Sequence, residues 1–249
     1  MVLLADWEWA VAGGFVFIAA VVRGFAGFGF SALSVVTLSF FMPPTIIVPI
    51  VLMMEIIASA WMLPGVWRYV DWLWLRPSAI GIFIGSPIGV AMLAFLPAEI
   101  TKIILYITLV ILSTAALAQG RGWIPSLVAP VMAVSLVAGV MNGLAGLAGM
   151  VIALFLLATD RAAMSIRASL VILFFLSDIY ALVWGGGFGL LVTQQLRILA
   201  IFLVPLIIGI IIGGRLFKMS DKGNYRAIAL SLVFFTALFG IAHQALNLT

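Results

Sequence analysis

Between residues 9 and 41 the chain reads WAVAGGFVFIAAVVRGFAGFGFSALSVVTLSFF. The stretch holds one charge, Arg23, and no acid. A bilayer core about 30 Å thick is crossed by ~20 helical residues, so this run is too long for one simple span. Gly24, Gly27 and Gly29 interrupt it near its middle. A helix broken at membrane depth leaves N–H and C=O groups that lipid cannot satisfy, so the break must face protein or a wet cavity. The half-helix that restarts there presents free N–H groups and a positive dipole end, which suit an anion.

The rest of the chain has the same character. Of 249 residues, 66% are hydrophobic and only 8% charged, and the mean hydropathy is +1.36. So much apolar surface suits a helical protein whose outside meets lipid. The net charge of +4 reflects basic residues in short loops between apolar runs, and no nucleic acid is expected as a partner. Cysteine is absent and histidine occurs once, at His243, near the end of the last apolar run. That excludes a disulfide framework, a thiolate nucleophile and a Cys/His metal centre. The first residues carry Asp6 and Glu8 with no Lys or Arg. They do not read as a secretory signal, and the first apolar segment is expected to be retained.

Eight hydrophobic segments follow one another: roughly 9–41, 44–64, 77–96, 100–118, 125–158, 168–184, 196–214 and 227–246. The fifth is overlong like the first, with its break expected near Asn142-Gly143. The expected fold is an all-α polytopic membrane protein, a single membrane domain built from two homologous repeats, 1–119 and 120–249. The run from Gly24 to Gly29 echoes that from Gly143 to Gly149. Each is followed by a span with one central acid, Glu55 and then Asp178, and next by a span with glycines four residues apart, Gly81/Gly85/Gly89 and then Gly209/Gly213.

Charge distribution bears on topology. If all eight segments cross, Arg68, Arg76, Arg121 and Arg197 lie on one side, and Lys102, Arg161, Arg167, Arg215, Lys218, Lys222 and Arg226 on the other. If segments one and five are re-entrant hairpins, only Lys102 and Arg197 lie outside. The positive-inside rule favours the hairpins. Both termini are then periplasmic, and three crossings per half make the repeats inverted. Trp7, Trp9, Trp67, Trp72, Trp74, Trp123 and Trp184 fall near segment ends, as an interfacial aromatic belt requires.

Several residues are candidates for the chemistry. Arg23 sits ~20 Å into the first segment at ~1.5 Å per residue, where an unpaired Arg costs at least ~2.5 kcal/mol. A guanidinium suits bidentate contact with sulfonate or carboxylate oxygens; the alternative is a structural ion pair with Glu55 or Asp178. Gly24, Gly27, Gly29, Gly143, Gly146 and Gly149, with Phe28, line the two breaks and are candidate substrate-binding positions. The alternative for any glycine is close helix packing, and that reading is preferred for Gly81/Gly85/Gly89 and Gly209/Gly213. Asn142 is a candidate neutral donor, or else a cap of the next half-helix. Glu55 and Asp178 are candidate coupling groups, since a carboxylate beside an anion site repels substrate unless protonated.

The sequence Gly24-Phe-Ala-Gly-Phe-Gly-Phe-Ser-Ala-Leu, Pro43-Pro44, the Glu55 span, Val70-Asp71-Trp72 and Gly85/Gly89 resembles the TauE/SafE sulfite exporter family. Gly143–Gly149, Arg161/Arg167 and Pro205/Gly209/Gly213 extend the resemblance over nearly the whole chain. It implies a two-repeat permease for sulfite, organosulfonates or other small organic anions in the bacterial cytoplasmic membrane. Phe25, Phe28 and Phe30 depart from the family's denser glycine run, and Glu55 stands in a span that is commonly Ser/Thr-rich. The phenylalanines favour a ligand with an apolar portion. Within transport, an anion channel remains an alternative. An intramembrane enzyme has only a Glu55/Asp178 dyad to work with, since no His-Glu-x-x-His or Gly-x-Ser-x-Gly occurs. The expected partners are a small anionic solute and the lipid bilayer, with the oligomeric state, a homodimer included, left open. No cofactor and no metal are expected.

Overall fold

A computed structural model describes residues 5–120, 130–157, 161–219 and 231. Among these residues every regular element is helical. The last expected segment, 227–246, lies outside them except for residue 231, as do His243, Trp123, Arg121, Lys222 and Arg226.

The opening stretch forms two helices. The first, α1, spans Asp6–Ala26 and the second, α2, spans Phe30–Leu38. Asp6 and Glu8 sit in the first turn of α1, where acids complement the dipole, and Glu8 Oε2 accepts the Ala5 N–H at 2.7 Å. The helix stops at Gly27, whose φ of 83° only glycine adopts easily, and Gly29 at φ 91° precedes α2. Nine residues of α2 make ~14 Å, too short to cross a bilayer.

Pro43 and Pro44 then start α3, Pro44–Val66, with Pro44 at the position where a missing N–H costs least. A single 3₁₀ turn, Trp67–Tyr69, leads to α4, Trp72–Phe95. Asp71 caps α4 by accepting the Trp74 N–H at 3.1 Å. Next come α5, Ala98–Gly120, α6, Val131–Ala145, and α7, Ala148–Leu157. The chain bends between α6 and α7 at Gly146, φ 69°. This is one turn later than Asn142-Gly143, both of which remain helical in the last turn of α6. The final described helices are α8, Ala163–Gly187, and α9, Thr193–Met219. Among the described residues, five helical stretches, 6–26, 44–69, 72–95, 163–187 and 193–219, are long and apolar enough to cross a membrane.

Helix packing is set by glycine. A methyl on Gly85 or Gly89 would overlap the carbonyl oxygen of Leu136 or Val140, so α4 lies backbone-to-backbone on α6. On the opposite helix, a methyl on Gly139 would stand 2.5 Å from Ile82 O. The second such seam joins α1 to α9, with Gly213 against the Val21 carbonyl and Gly209 against Phe17 O at 2.6 Å. Small residues allow this approach where no hydrophobic force drives helices together. The outer faces carry Ile80, Ile84 and Ile88 on α4 and Val204, Ile208 and Leu216 on α9, all exposed, as lipid contact requires. Trp7, Trp67, Trp72 and Trp184 are exposed too, whereas Trp74 is buried and no part of an outer belt.

Candidate functional site

The bend after α1 gathers a cluster of buried polar groups. Arg23, in the last turn of α1, is 0% exposed. Its Nε lies 2.9 Å from Glu55 Oε2, midway along α3. One terminal nitrogen donates to Ser59 Oγ at 2.7 Å, and the other donates to the Gly27 carbonyl at the bend itself. The guanidinium also lies 5.1 Å from the centre of the Phe174 ring on α8, within cation–π range. Burying a charge is tolerable only when it is paired and hydrogen-bonded; both terminal nitrogens are hydrogen-bonded, and Nε faces the Glu55 carboxylate as an ion pair without hydrogen-bond geometry.

Glu55 completes the cluster. Its Oε1 accepts the backbone N–H of Ser31 at 3.3 Å and the Ser31 hydroxyl at 3.2 Å. Ser31 is the second residue of α2, so the carboxylate sits against that helix's positive N-terminal end. The guanidinium, the N-terminus of α2 and the Ser31 hydroxyl therefore meet at the Glu55 carboxylate, while Ser59 Oγ accepts from the guanidinium. Guanidinium, backbone N–H and hydroxyl donors suit the oxygens of a carboxylate, sulfonate or sulfite.

The bend after α6 lies beside the first. A methyl on Gly146 would stand 3.3 Å from Ser31 Cβ, and one on Gly149 would stand 3.6 Å from both Phe28 Cβ and the Phe174 ring. Here the polar pair is neutral on one side: Asn142 Nδ2 donates to Asp178 Oδ1 at 3.0 Å, and Ser177 Oγ stands 3.4 Å from the same oxygen. Asn142 therefore does not cap α7. Asp178 lies within electrostatic reach of Glu55 and Arg23. The structure thus brings Arg23, Glu55, Asn142, Asp178, Gly27, Phe28, Gly29, Gly146 and Gly149 into one region. Gly24 and Gly143 lie in the helix seams instead. A methyl on Gly24 would overlap the Ile210 carbonyl, and one on Gly143 the Ser86 carbonyl.

Sequence reasoning missed Ser31, Ser59, Phe174 and Arg167. Arg167, read as a loop cation, is a buried member of α8. One of its terminal nitrogens donates to the Gly24 carbonyl at 2.7 Å, and its guanidinium lies 4.5 Å from the Phe217 ring centre. A second guanidinium therefore holds the end of α1. Its signal was available: Ala163, Met164, Ser165 and Ile166 already continue the apolar run N-terminal to it.

At the edge of the bundle, Asp71 ties the α3–α4 connection to the start of α8. Arg161 Nε stands 2.9 Å from Asp71 Oδ2, and the Asp71 N–H donates to Ser169 Oγ at 3.0 Å. The Arg161 hydrogen bond holds the Asp71 carboxyl below its ordinary value of 3.8. Among the described residues no group of three or more His, Cys, Asp or Glu could hold a metal ion. No curated protein and no solved structure gives a significant match to the chain. The family model described as Sulfite exporter TauE/SafE matches residues 12–240, most of the sequence. The chain belongs to the TauE/SafE sulfite exporter family, a family of membrane transporters.

Proposed function

We propose that this protein is a secondary transporter that moves a small anion (sulfite, an organosulfonate or a related organic acid) across the bacterial inner membrane by alternating access. The observation that carries the reading is the buried Arg23 beside the N-terminus of α2, an oxyanion donor set at a helix bend. Its complete burial suits a site opened by movement better than a standing pore. Glu55 and Asp178 serve as the coupling carboxylates, with protons as the coupling ion.

The chain is read as two inverted repeats, with α1–α2 and α6–α7 as re-entrant hairpins. The sequence shift that carries Arg23 onto Asn142 also carries Gly27 onto Gly146, Pro44 at the start of α3 onto Ala163 at the start of α8, and Ser59 onto Asp178. The bonded pairs obey it too, since Arg23–Ser59 and Asn142–Asp178 are both 36 residues apart. The Arg161–Asp71 ion pair supports the hairpins, because eight full crossings place those two residues on opposite faces of the membrane. Both termini are then periplasmic.

Flux in proteoliposomes tests the function. Vesicles preloaded with sulfite, sulfoacetate, an aryl sulfonate or a carboxylate should release one class selectively, faster with an outward proton gradient. Failure to move any of them overturns the reading. In this naturally cysteine-free chain, a Met42→Cys variant labelled from the periplasm supports the topology, and labelling only from the cytoplasm overturns it.

A further inference from the structure

We propose that Glu55 is a tethered anion that keeps the substrate's place. The transported monoanion takes over the donors of Arg23 and Ser31 as Glu55 accepts one proton and withdraws. The inference rests on the anion-transport reading above and fixes its stoichiometry at one proton per monoanion.

The argument starts from what each donor holds. Both carboxylate oxygens of Glu55 face a donor: Oε2 stands 2.9 Å from Arg23 Nε as an ion pair without hydrogen-bond geometry, and Oε1 accepts from the N–H and hydroxyl of Ser31. The side chain is 4% exposed. An incoming oxyanion at the same helix end therefore finds its partners taken, and must exchange with the carboxylate rather than join it. The hold on Glu55 at α2 is loose. The Ser31 contacts of 3.2 and 3.3 Å exceed the ~2.7–2.9 Å of a good charge-assisted bond. The tether from α3 limits how close the carboxylate comes, and a free anion has no tether.

Arg23 is positioned to stay behind. Its contacts to Gly27 O and to Ser59 Oγ, and its place over Phe174, do not involve Glu55. The guanidinium thus remains aimed at the vacated volume, which is the preorganisation that makes exchange favourable.

Charge balance supplies the proton. The titratable groups facing Glu55, among the described residues, are Arg23 from α1 and Asp178 from α8; α2 offers an N–H and a hydroxyl. Were the anion to enter with Glu55 still ionised, one buried cation would face two close anions, in surroundings that penalise any unpaired charge. Transfer of a proton from a hydronium ion of the bulk solution breaks one O–H bond there, leaving water, and forms one on a Glu55 carboxylate oxygen, so one negative charge is neutralised as another arrives. The local charge is unchanged, so movement of a monoanion with its proton is electroneutral.

The test titrates the purified full-length chain with methanesulfonate and with benzenesulfonate, which stay ionised near neutral pH, so that any proton uptake belongs to the protein. Calorimetry in two buffers of different ionisation enthalpy should give about one proton taken up per anion by the wild type. Glu55→Gln, with no charge to displace, should bind at least tenfold tighter at neutral pH and take up none. Binding to the wild type without proton uptake overturns the inference and leaves the transport reading standing, as does a Glu55→Gln variant that still takes up a proton. The wild-type titration decides the matter even if the variant does not fold. Absence of binding by either sulfonate to the wild type overturns both the inference and the sulfonate reading on which it rests.

Discussion

Replacing Arg23 by Gln strips the buried Glu55 carboxylate of its cation and leaves it 4% exposed among apolar helices. Removing one partner of a buried pair costs ~3–5 kcal/mol, because the remaining charge is uncompensated. The lost bond to Ser59 and the lost Gly27 contact push the loss toward the upper end. At ~2–4 °C per kcal/mol for a chain of this size, the melting temperature of Arg23→Gln in detergent should fall by about 6–20 °C. Glu55→Gln alone strands the guanidinium instead and should fall comparably. The double variant Arg23→Gln/Glu55→Gln buries no charge at this point, so its loss should be smaller than that of either single variant. Thermal unfolding followed by tryptophan fluorescence, with all four proteins in one detergent, measures the cycle. A double variant whose loss equals the sum of the two single losses refutes the claim that these groups form one coupled buried pair.

Two glycines near the second bend should respond oppositely to alanine. At Gly143 the new methyl meets the Ser86 carbonyl and Val90 N at 2.5 Å, so Gly143→Ala should separate α4 from α6 and cost ~1–3 kcal/mol. At Gly149 the nearest atoms are 3.6 Å away, so Gly149→Ala should be neutral or stabilise by up to ~1 kcal/mol through the unfolded chain; the two melting temperatures decide. The Asp71–Arg161 pair gives a pH prediction. Because the folded state holds the Asp71 carboxyl below 3.8, its contribution is full above that value and is lost as pH falls through the lowered one. Arg161→Met should therefore lose ~0.2–1 kcal/mol at neutral pH, as a largely surface pair does, with the loss shrinking below pH 3.8. An equal loss at all pH values in thermal melts contradicts it.

Much of the helical plan is legible in the sequence because lipid imposes it. Apolar runs of span length announce helices, and the overlong run from Trp9 to Phe41 announces that something stops it. Gly27 and Gly29 do the stopping, since both need a positive φ. The second bend is harder to place. Gly143, Gly146 and Gly149 look alike in sequence, yet Gly143 is small because α4 presses on it, whereas Gly146 is small because its φ is positive. Glycine spacing tells that a neighbour comes close, and only the fold tells whether that neighbour is another backbone. The site was partly legible for the same reason. An Arg deep in an apolar segment advertises a cost that something must offset, and so do Glu55 and Asp178. That Arg23 meets Glu55, that Ser31 turns its N–H toward that carboxylate, and that Phe174 covers the guanidinium depend on how α1, α2, α3 and α8 pack. No local pattern encodes those distances.

The central claim is that the donors around Ser31 are the substrate's own. In a chain without native cysteine, a Ser31→Cys variant places one thiol at the N-terminus of α2. Its rate of modification by a small cationic methanethiosulfonate reagent in proteoliposomes should fall severalfold when the sulfonate or sulfite that the protein moves is added at saturation. An anion that is not moved should leave the rate unchanged. A thiol that never reacts from either side, or one that reacts at the same rate with and without the transported anion, would contradict the account.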